Sequence, residues 1–249
     1  MIQIGFKSDR GKRRNNNEDA CFVMPKENVY MVADGVGGNN AGECASNMAV
    51  SKIAECIREN SLTGIEDQNE IAICLKRYIE IANKEIIDFA LHNKENRGMA
   101  TTLVMCYIKG DTLYIANIGD SRAYIYRQGE LFQITEDHSY VNSLIKMGAI
   151  THEEAKDHEK GHMITKALGA AKEADADYYQ TKIVDGDVVL LCTDGLYGEL
   201  SEGEIEKLIS QEGDMSKLAE KLIAYANEAG GRDNITAVCI KTKGGCQYE

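Results

Sequence analysis

Apolar and polar positions follow two different periods along this chain, and the periods divide it into helical and extended blocks. Apolar residues recur every three to four positions over residues 42–58 and 69–93, which predicts two amphipathic helices. Before and after this pair lie stretches in which apolar residues alternate or run on for several positions between short polar turns. They predict strands over residues 2–7, 20–24, 29–33, 101–108, 112–118, 123–127, 131–134, 178–183, 188–192 and 235–241.

Helical periodicity returns over residues 202–210 and 215–229, and shorter helical patterns cover residues 139–147 and 151–157. The strands occur in two blocks joined by tight turns, and helices between successive strands are missing, so a doubly wound parallel sheet is not expected. The pattern instead predicts an α+β fold in which two packed antiparallel β-sheets are flanked by pairs of helices.

One domain is expected, because no linker or internal repeat interrupts the 249 residues. We predict that this domain spans residues 1–241 and that residues 242–249 form a tail. Residues 148–174 are rich in charge and glycine and have no strong period, which predicts a mobile flap on the domain.

Two of the predicted strands lead into the same dipeptide. Residues 29–33 run into Asp34-Gly35, and residues 188–193 run into Asp194-Gly195. An Asp-Gly pair between strands commonly forms a hairpin turn. A hairpin requires a second strand directly afterwards, so the residues that follow distinguish a turn from another role.

No strand pattern follows either dipeptide. Glycine-rich residues 36–40 and a helical pattern come after the first, while a short loop and a capping box at Ser201–Glu204 come after the second. Each site then presents a carboxylate at the rim of a sheet, beside a glycine whose lack of Cβ lets a ligand approach its carbonyl group. Hard cations such as Mg²⁺ and Mn²⁺ prefer these oxygen ligands.

Further acids stand at predicted strand ends. Each one has a simple structural interpretation as well. Asp120 can be a turn residue, because a strand follows it, and Asp233 can cap or turn between a helix and the last strand. A single acid therefore does not indicate a function, and only the complete set does. The set comprises Asp19, Asp34, Asp120, Asp194 and Asp233.

The charge balance limits the kinds of partner. The sequence has 40 acidic and 28 basic residues and a net charge of −12, which argues against a general nucleic-acid-binding protein. Basic residues nevertheless cluster near the start of the chain, where they form either a solvated face or a landing point for a phosphorylated partner. The cluster consists of Lys7, Arg10, Lys12, Arg13 and Arg14.

Neither a membrane-spanning segment nor a secretion signal is expected. No apolar run approaches the roughly 18 to 20 residues that a membrane-spanning helix needs, and the first residues alternate like a strand. The eight cysteines form no C-x-x-C pair, so reduced thiols are expected rather than disulfides or a zinc site. These features predict a cytoplasmic protein without membrane insertion.

The acids at the strand ends belong to short motifs spread over the whole chain. The motifs are Arg14–Asp19, Ala33–Gly38, Gly98–Thr102, Gly119–Arg122, Asp137–Ser139, Thr165–Gly169, Thr193–Leu196 and Arg232–Thr236. As an ordered set they resemble the metal-dependent serine/threonine protein phosphatases of the type 2C family, in particular its compact bacterial single-domain members. The resemblance implies a four-layer sandwich, with two sheets in the middle and helix pairs outside.

This resemblance also implies a centre of two Mn²⁺ or Mg²⁺ ions. In the family pattern, Asp34 bridges both ions and the Gly35 carbonyl group ligates one of them. Asp194 and Asp233 ligate the other ion.

The remaining motif residues have supporting roles in the family pattern. Glu18 and Asp19 act mainly through metal-bound waters, and Arg14 holds the substrate phosphate. Asp120 and Asp194 build a weaker third metal site.

The implied reaction is hydrolysis of phosphoserine and phosphothreonine in proteins by direct attack of a metal-bridging water. Enzymes accelerate phosphate monoester hydrolysis by up to ~10²¹-fold, far beyond the roughly 10²- to 10⁴-fold that one general base supplies. Two ions about 3.5 to 4 Å apart can activate water and neutralise the developing charge. Val36 stands where many members have His or Met, so the acid that protonates the leaving group is not identified.

Three alternatives predict features that the sequence lacks. A catalytically weak phosphoprotein-binding member of the same fold would have lost metal ligands, and none is lost. An NTP-binding enzyme would need a G-x-x-x-x-G-K-[ST] loop, and an acidic Ca²⁺-binding protein a D-x-[DN]-x-[DN]-G loop; the sequence has neither. As partners, the resemblance implies phosphorylated proteins that are substrates of a serine/threonine kinase, and a monomer is expected.

Overall fold

The computed structural model of the protein describes residues 2–37, 41–156 and 158–242. Within these ranges the chain forms eleven strands and seven helices, with a 3₁₀ turn at Lys94–Asn96. In chain order they are β1 (Gln3–Asp9), β2 (Asp19–Met24), β3 (Val29–Val36), α1 (Ala41–Glu59), α2 (Gln68–His92), β4 (Ala100–Thr101), β5 (Leu103–Lys109), β6 (Thr112–Ile118), β7 (Arg122–Arg127), β8 (Glu130–Gln133), α3 (Tyr140–Lys146), α4 (His152–Lys156), β9 (Asp177–Lys182), β10 (Val188–Cys192), α5 (Asp194–Tyr197), α6 (Glu202–Gln211), α7 (Met215–Ala229) and β11 (Ile235–Lys241).

The strands form two sheets in which neighbours are antiparallel. The first sheet has the order β1-β11-β10-β7-β8, and the second has the order β2-β3-β5-β6-β9 with β4 paired to β3. The register of β2 and β3 places Asp19 directly opposite Asp34. The two antiparallel sheets expected from the strand pattern are confirmed.

Alternate side chains along each strand fill different layers of the core, as the period of two requires. In β3, Met31 packs with Ile53 of α1, whereas Val32 points to the layer between the sheets together with Val189 of β10. On the other side, Leu222 of α7 belongs to the core that the first sheet shares with its helices. Helices α1 and α2 cover the second sheet, and α6 and α7 cover the first. The four-layer sandwich is thereby confirmed.

The predicted elements agree with the structure apart from small shifts at their ends and two local differences. The strand predicted over 101–108 is split at Thr102. The register against β3 continues, but the Asp34 N–H donates to Thr102 Oγ1 (2.9 Å) instead of the Thr102 carbonyl oxygen, so one ladder bond is missing. The loop predicted directly after Gly195 is wrong in its first residues, because residues 194–197 form a helical turn that the Gly198 N–H closes onto the Asp194 carbonyl oxygen (2.7 Å). Both differences lie at the acids singled out from the sequence.

The predicted flap contains α4 and is attached at its C-terminal end. Leu168 forms an isolated β-bridge with Thr101, and the Gly169 N–H donates to Oδ1 of the buried Asn83 (2.7 Å). The mobility of this segment and the domain bounds stay predictions. Gly38–Asn40, Asp157 and residues 243–249 of the predicted tail lie outside the described residues. Among the helices that the structure describes, none is long and apolar enough to cross a membrane.

Candidate metal centre

Asp34 lies near the end of β3, and two threonines fix its main chain. Its N–H donates to Thr102 Oγ1 (2.9 Å), and its carbonyl oxygen accepts from the Thr101 hydroxyl (2.9 Å) as well as from the Thr102 N–H. Burial, together with the negative charges of Asp19 and Asp194, raises the pKa of Asp34 well above its usual range. An ionised Asp34 therefore needs a cation close to it.

Asp19 is buried and links the second sheet to the first. Its Oδ2 accepts hydrogen bonds from the hydroxyl groups of Thr193 (2.9 Å) and Thr236 (2.7 Å), which flank the ends of β10 and β11. Its Oδ1 is buried without a hydrogen-bond partner in the described part of the chain. Burial raises the pKa of Asp19 to about 7, although the two threonine hydrogen bonds act to lower it.

Asp194 is the first residue of α5 and follows β10 directly after Thr193. Burial, and then the charge of Asp233, raises its pKa, although the nearby carboxyl group of Asp34 acts to lower it. Its Oδ1 has no hydrogen-bond partner within residues 2–37, 41–156 and 158–242. The acids of the two Asp-Gly dipeptides therefore lie close together.

Asp233 and Arg14 form an ion pair at the edge of this group. The Arg14 Nη2 donates to Asp233 Oδ2 at 2.6 Å, and about half of the Arg14 side chain is exposed. The guanidinium also lies within electrostatic reach of Asp34 and Asp194. Asn234 fixes the loop that carries Arg14, because its Nδ2 donates to the carbonyl oxygens of Arg10 and Asn16 (both 2.8 Å).

Glu18 and the carbonyl group of Gly35 flank a small space at the start of α1. A Cβ built on Gly42 would lie 2.7 Å from the Gly35 carbonyl oxygen and 2.8 Å from Glu18 Oε2. The main chain on the other side is fixed, since the Glu18 carbonyl oxygen accepts from the Ser46 hydroxyl (2.6 Å) and the Gly35 N–H (3.1 Å). Two oxygen donors therefore share a space that stays open because residue 42 is glycine.

Asp120 approaches the same group from the turn between β6 and β7. It follows Gly119, whose φ of +102° places it in the left-handed region, and a Cβ there would strike Thr102 at 2.6 Å. Burial, followed by the charges of Asp194 and Asp137, raises the pKa of Asp120 to about 7. Its proximity to Asp194 is the arrangement that a shared additional metal site would need.

The donor set fits hard divalent cations, since it consists of carboxylate and carbonyl oxygens. The buried Oδ1 atoms of Asp19 and Asp194 without partners, and the raised pKa values, indicate a group of negative charges that requires compensation. In the described residues, however, no three His, Cys, Asp or Glu side chains converge as a ready ligand cluster. The structure brings all eight predicted residues to one region, and their individual metal roles stay predictions.

Several positioning residues had no role in the sequence interpretation. Thr193 and Thr236 hold Asp19, Thr102 holds Asp34, and Asn234 holds the Arg14 loop. Thr193, Asn234 and Thr236 stand next to a predicted ligand or in the same motif, and this closeness in sequence could have indicated their role. Gly42 had none, because a glycine in the first turn of a helix has no distinctive pattern.

Comparisons with known proteins agree with this geometry. The family model of Protein phosphatase 2C matches residues 9–238. The Serine/threonine phosphatase stp of Listeria monocytogenes is 37% identical over 239 residues, which cover 95% of this chain and 94% of that protein.

Solved structures with the same fold extend the comparison. The serine/threonine phosphatase of S. agalactiae superposes with a TM-score of 0.91 at 33% identity, covering 98% of this chain and 100% of that one. The catalytic domain of the phosphatase PstP in complex with 2 manganese ions superposes with a TM-score of 0.86 at 32% identity, covering 97% of this chain and 98% of that one. The chain therefore belongs to the protein phosphatase 2C family of metal-dependent protein serine/threonine phosphatases.

Proposed function

We propose that the chain hydrolyses phosphate esters of serine and threonine side chains in proteins, with the Asp34 and Asp194 pair at the middle of its metal site. One observation carries this proposal: Asp34 at the end of β3 and Asp194 directly after β10 lie close together, and both have raised pKa values. Two like charges in contact inside a protein are costly unless a cation compensates them. A dianionic phosphate can bind beside so many acids only when cations lie between them.

We assign the ligands of two Mn²⁺ or Mg²⁺ ions as follows. Asp34 binds both ions, the Gly35 carbonyl group binds one, and Asp194 and Asp233 bind the other. Glu18 and Asp19 bind through waters. When bound, the ions supply an activated water for direct attack on phosphorus and neutralise the charge that develops.

Arg14 is proposed to hold the substrate phosphate. Its Nη2 donates a hydrogen bond to Asp233. The other N–H groups of the guanidinium lie on an exposed edge, where they can form paired hydrogen bonds to phosphate oxygens. The contact with Asp233 also orients the guanidinium toward the acids. Arg14 thereby binds the phosphate and keeps it near the reacting water.

Asp120 is proposed to form a weaker third metal site together with Asp194. The burial of Asp120 and the effect of Asp194 on its pKa support this assignment. The third ion would share the Asp194 carboxylate with the two main metal ions and would have fewer ligands of its own. It is therefore expected to bind least tightly.

Residues 148–174 are proposed to act as a flap that tunes the choice of substrate without supplying a metal ligand. Its His162 lies close enough to Asp194 to influence the pKa of that acid. Part of the flap therefore lies near the site. Its C-terminal end is attached to β4 through the bridge between Leu168 and Thr101. We also propose that residues 1–241 form one catalytic domain, followed by a tail at 242–249.

Val36 follows Asp34-Gly35 and is exposed, with a side chain that carries no exchangeable proton. It therefore has no part in protonating the leaving serine or threonine oxygen. We propose that solvent supplies this proton.

A catalytically weak phosphoprotein-binding role has no support in the structure. All eight side or main chains assigned above are present, and the acids among them lie together. The substrates are phosphorylated proteins. We propose that they are products of a serine/threonine kinase and that the phosphatase acts as a cytoplasmic monomer.

The proposed function is tested with p-nitrophenyl phosphate and a phosphothreonine peptide, each assayed with Mn²⁺ and with EDTA. Hydrolysis of both substrates that depends on Mn²⁺ supports the proposal. Absence of Mn²⁺-dependent hydrolysis, with Mn²⁺ binding shown by calorimetry, would leave a binding protein and contradict it.

A further inference from the structure

We propose that a basic loop formed by Arg10, Lys12 and Arg13 docks substrate segments that carry a second negative group close to the phosphate being hydrolysed. The second group is an acidic side chain or another phosphate. The inference rests on the proposed function, because it takes Arg14 as the residue that holds the reacting phosphate.

The main chain of the basic loop is packed directly onto the loop that carries Asp233. Gly11 has a φ of +76°, and a Cβ there would lie 2.1 Å from the Asp233 carbonyl oxygen. The Lys12 N–H donates to the Gly231 carbonyl oxygen at 2.8 Å. These contacts involve only main-chain atoms of the basic loop, so its position relative to the acids is fixed while its side chains are free to bind.

The side chains of the basic loop are exposed, and their charges are not used internally. Lys12 and Arg13 form no ion pair within the described ranges, and Arg10 donates to the Asn15 carbonyl oxygen at 3.3 Å. Asp9 lies near Arg10 and compensates it in part. Arginines elsewhere near the site are paired with acids, as in Arg122–Asp137 and Arg232–Glu199.

The overall charge makes these cations significant. In a chain with 40 acidic and 28 basic residues, Lys12 and Arg13 place two exposed positive charges beside a site for an anion. The net charge of −12 repels phosphorylated segments at long range. A local positive loop offsets this repulsion within about 8 Å at physiological salt, which is where screening still permits attraction.

The spacing suits groups near the phosphorylated residue. Lys12 and Arg13 lie in a turn directly before Arg14, and an extended substrate segment advances about 3.3 to 3.6 Å per residue. A negative group within about three residues of the phosphorylated side chain can therefore reach the basic loop while Arg14 holds the phosphate. The substrate class that this selects is a phosphoprotein segment with clustered acids or clustered phosphorylation.

The test compares wild type with K12E/R13E, a variant that reverses both charges and retains every main-chain contact. The matched control is K76E/R77E, which makes the same charge change at two exposed positions of α2. The substrates are three phosphothreonine peptides of equal length, with neutral flanks, with glutamates on both sides, or with a second phosphoserine, and p-nitrophenyl phosphate, which has no flanks.

We expect wild type and K76E/R77E to have three- to tenfold higher kcat/KM for at least one of the doubly negative peptides than for the neutral peptide. K12E/R13E should lose this preference, mainly through KM, and should hydrolyse p-nitrophenyl phosphate like wild type. Preference for the glutamate peptide alone assigns the loop to acidic side chains, and preference for the bisphosphorylated peptide alone assigns it to a second phosphate.

The proposal would be overturned if wild type showed no preference between the peptides, or if K12E/R13E retained the preference. A parallel loss of p-nitrophenyl phosphate hydrolysis in K12E/R13E would also overturn it, because the effect would then arise at the metal centre. Failure of wild type on every substrate would contradict the proposed function itself, which separates the two ideas.

Discussion

The dipeptides Asp34-Gly35 and Asp194-Gly195 have the same sequence and meet at one site, yet their backbones differ. Gly35 continues strand β3 and pairs with β4, whereas Asp194 and Gly195 belong to the helical turn α5. Both glycines are packed against main-chain oxygens. A Cβ would lie 2.1 Å from the Gly42 carbonyl oxygen at Gly35, and 2.0 Å from the Asn234 carbonyl oxygen at Gly195.

The difference in backbone determines which atoms each dipeptide can offer to a metal ion. In α5 the Asp194 carbonyl oxygen accepts the Gly198 N–H, so the side chain is its available donor. In β3 the Gly35 carbonyl oxygen lies beside Glu18 Oε2 in the space kept open by Gly42. On the proposed assignment, one dipeptide would contribute a carboxylate and a carbonyl group, and the other would contribute a carboxylate. Identical local sequence acquires different chemistry from the contacts that surround it.

The largest expected effect follows from removing the charge that both dipeptides share. Asp34→Asn and Asp194→Asn should each reduce Mn²⁺-dependent turnover of p-nitrophenyl phosphate to less than about a tenth of wild type. Even substitution of residues that only hydrogen-bond to metal ligands lowers metal affinity or activity about 10- to 100-fold. Unfolding should remain cooperative, because little apolar burial is lost. Steady-state kinetics and thermal unfolding measure the two quantities. Turnover above a tenth in either variant would contradict a shared metal site.

The second prediction concerns the carbonyl group that distinguishes the two dipeptides. Gly42→Ala should lower Mn²⁺ affinity about tenfold or more, because the added methyl group enters the space beside the Gly35 carbonyl oxygen and Glu18. Gly203 is the matched control, because it is the second residue of α6 and an added Cβ there would point into open space. Gly203→Ala should stabilise the fold by about 0.4 to 1 kcal/mol and leave Mn²⁺ affinity unchanged.

Calorimetric titration with Mn²⁺ provides the measurement for both glycine variants. Equal affinities of Gly42→Ala and wild type would show that the Gly35 carbonyl group and Glu18 do not take part in metal binding. The asymmetry between the two dipeptides would then be structural only.

The sequence allowed most of the fold to be predicted, because strong periods of two and 3.6 define the strands and the long helices. It did not predict the break at Thr102, which depends on a hydrogen bond from the main chain of a distant strand to the Thr102 side chain, or the turn α5, which is only four residues long. The acids could be found at strand ends and in motifs. The threonines that hold Asp19 are 174 and 217 residues away along the chain, so no local pattern could associate them with it.

The third prediction distinguishes two adjacent arginines. Arg14→Lys should lower kcat/KM for p-nitrophenyl phosphate by roughly 1 to 3 kcal/mol, mainly through KM, because lysine keeps the charge but lacks the planar pair of donors. Arg13→Lys is the control and should have little effect, since it preserves an exposed charge. A larger loss at position 13, or no loss at either position, would show that Arg14 does not hold the phosphate.

The fourth prediction has the smallest expected effect on activity. Asp120→Asn should lower turnover of a phosphothreonine peptide several-fold at moderate Mn²⁺, because the proposed third ion binds weakly. Asp34 and Asp194 remain, so calorimetry should still detect two tightly bound ions. Loss of the tightly bound ions would show that Asp120 helps to bind the two main metal ions rather than a third one.

The same variant makes a prediction about the metal-free protein. Burial raises the pKa of Asp120 to about 7, compared with about 3.9 in an unfolded chain. The folded state therefore binds more protons than the unfolded state between about pH 4 and 7, so the contribution of Asp120 to stability falls as pH rises through this range. Asp120→Asn removes that loss. With EDTA present, the variant should be more stable than wild type by up to about 4 kcal/mol at pH 8, with a difference that shrinks toward pH 4.5. Denaturant unfolding at the two pH values measures it, and an equal difference at both would show that the pKa of Asp120 is not raised in the folded state.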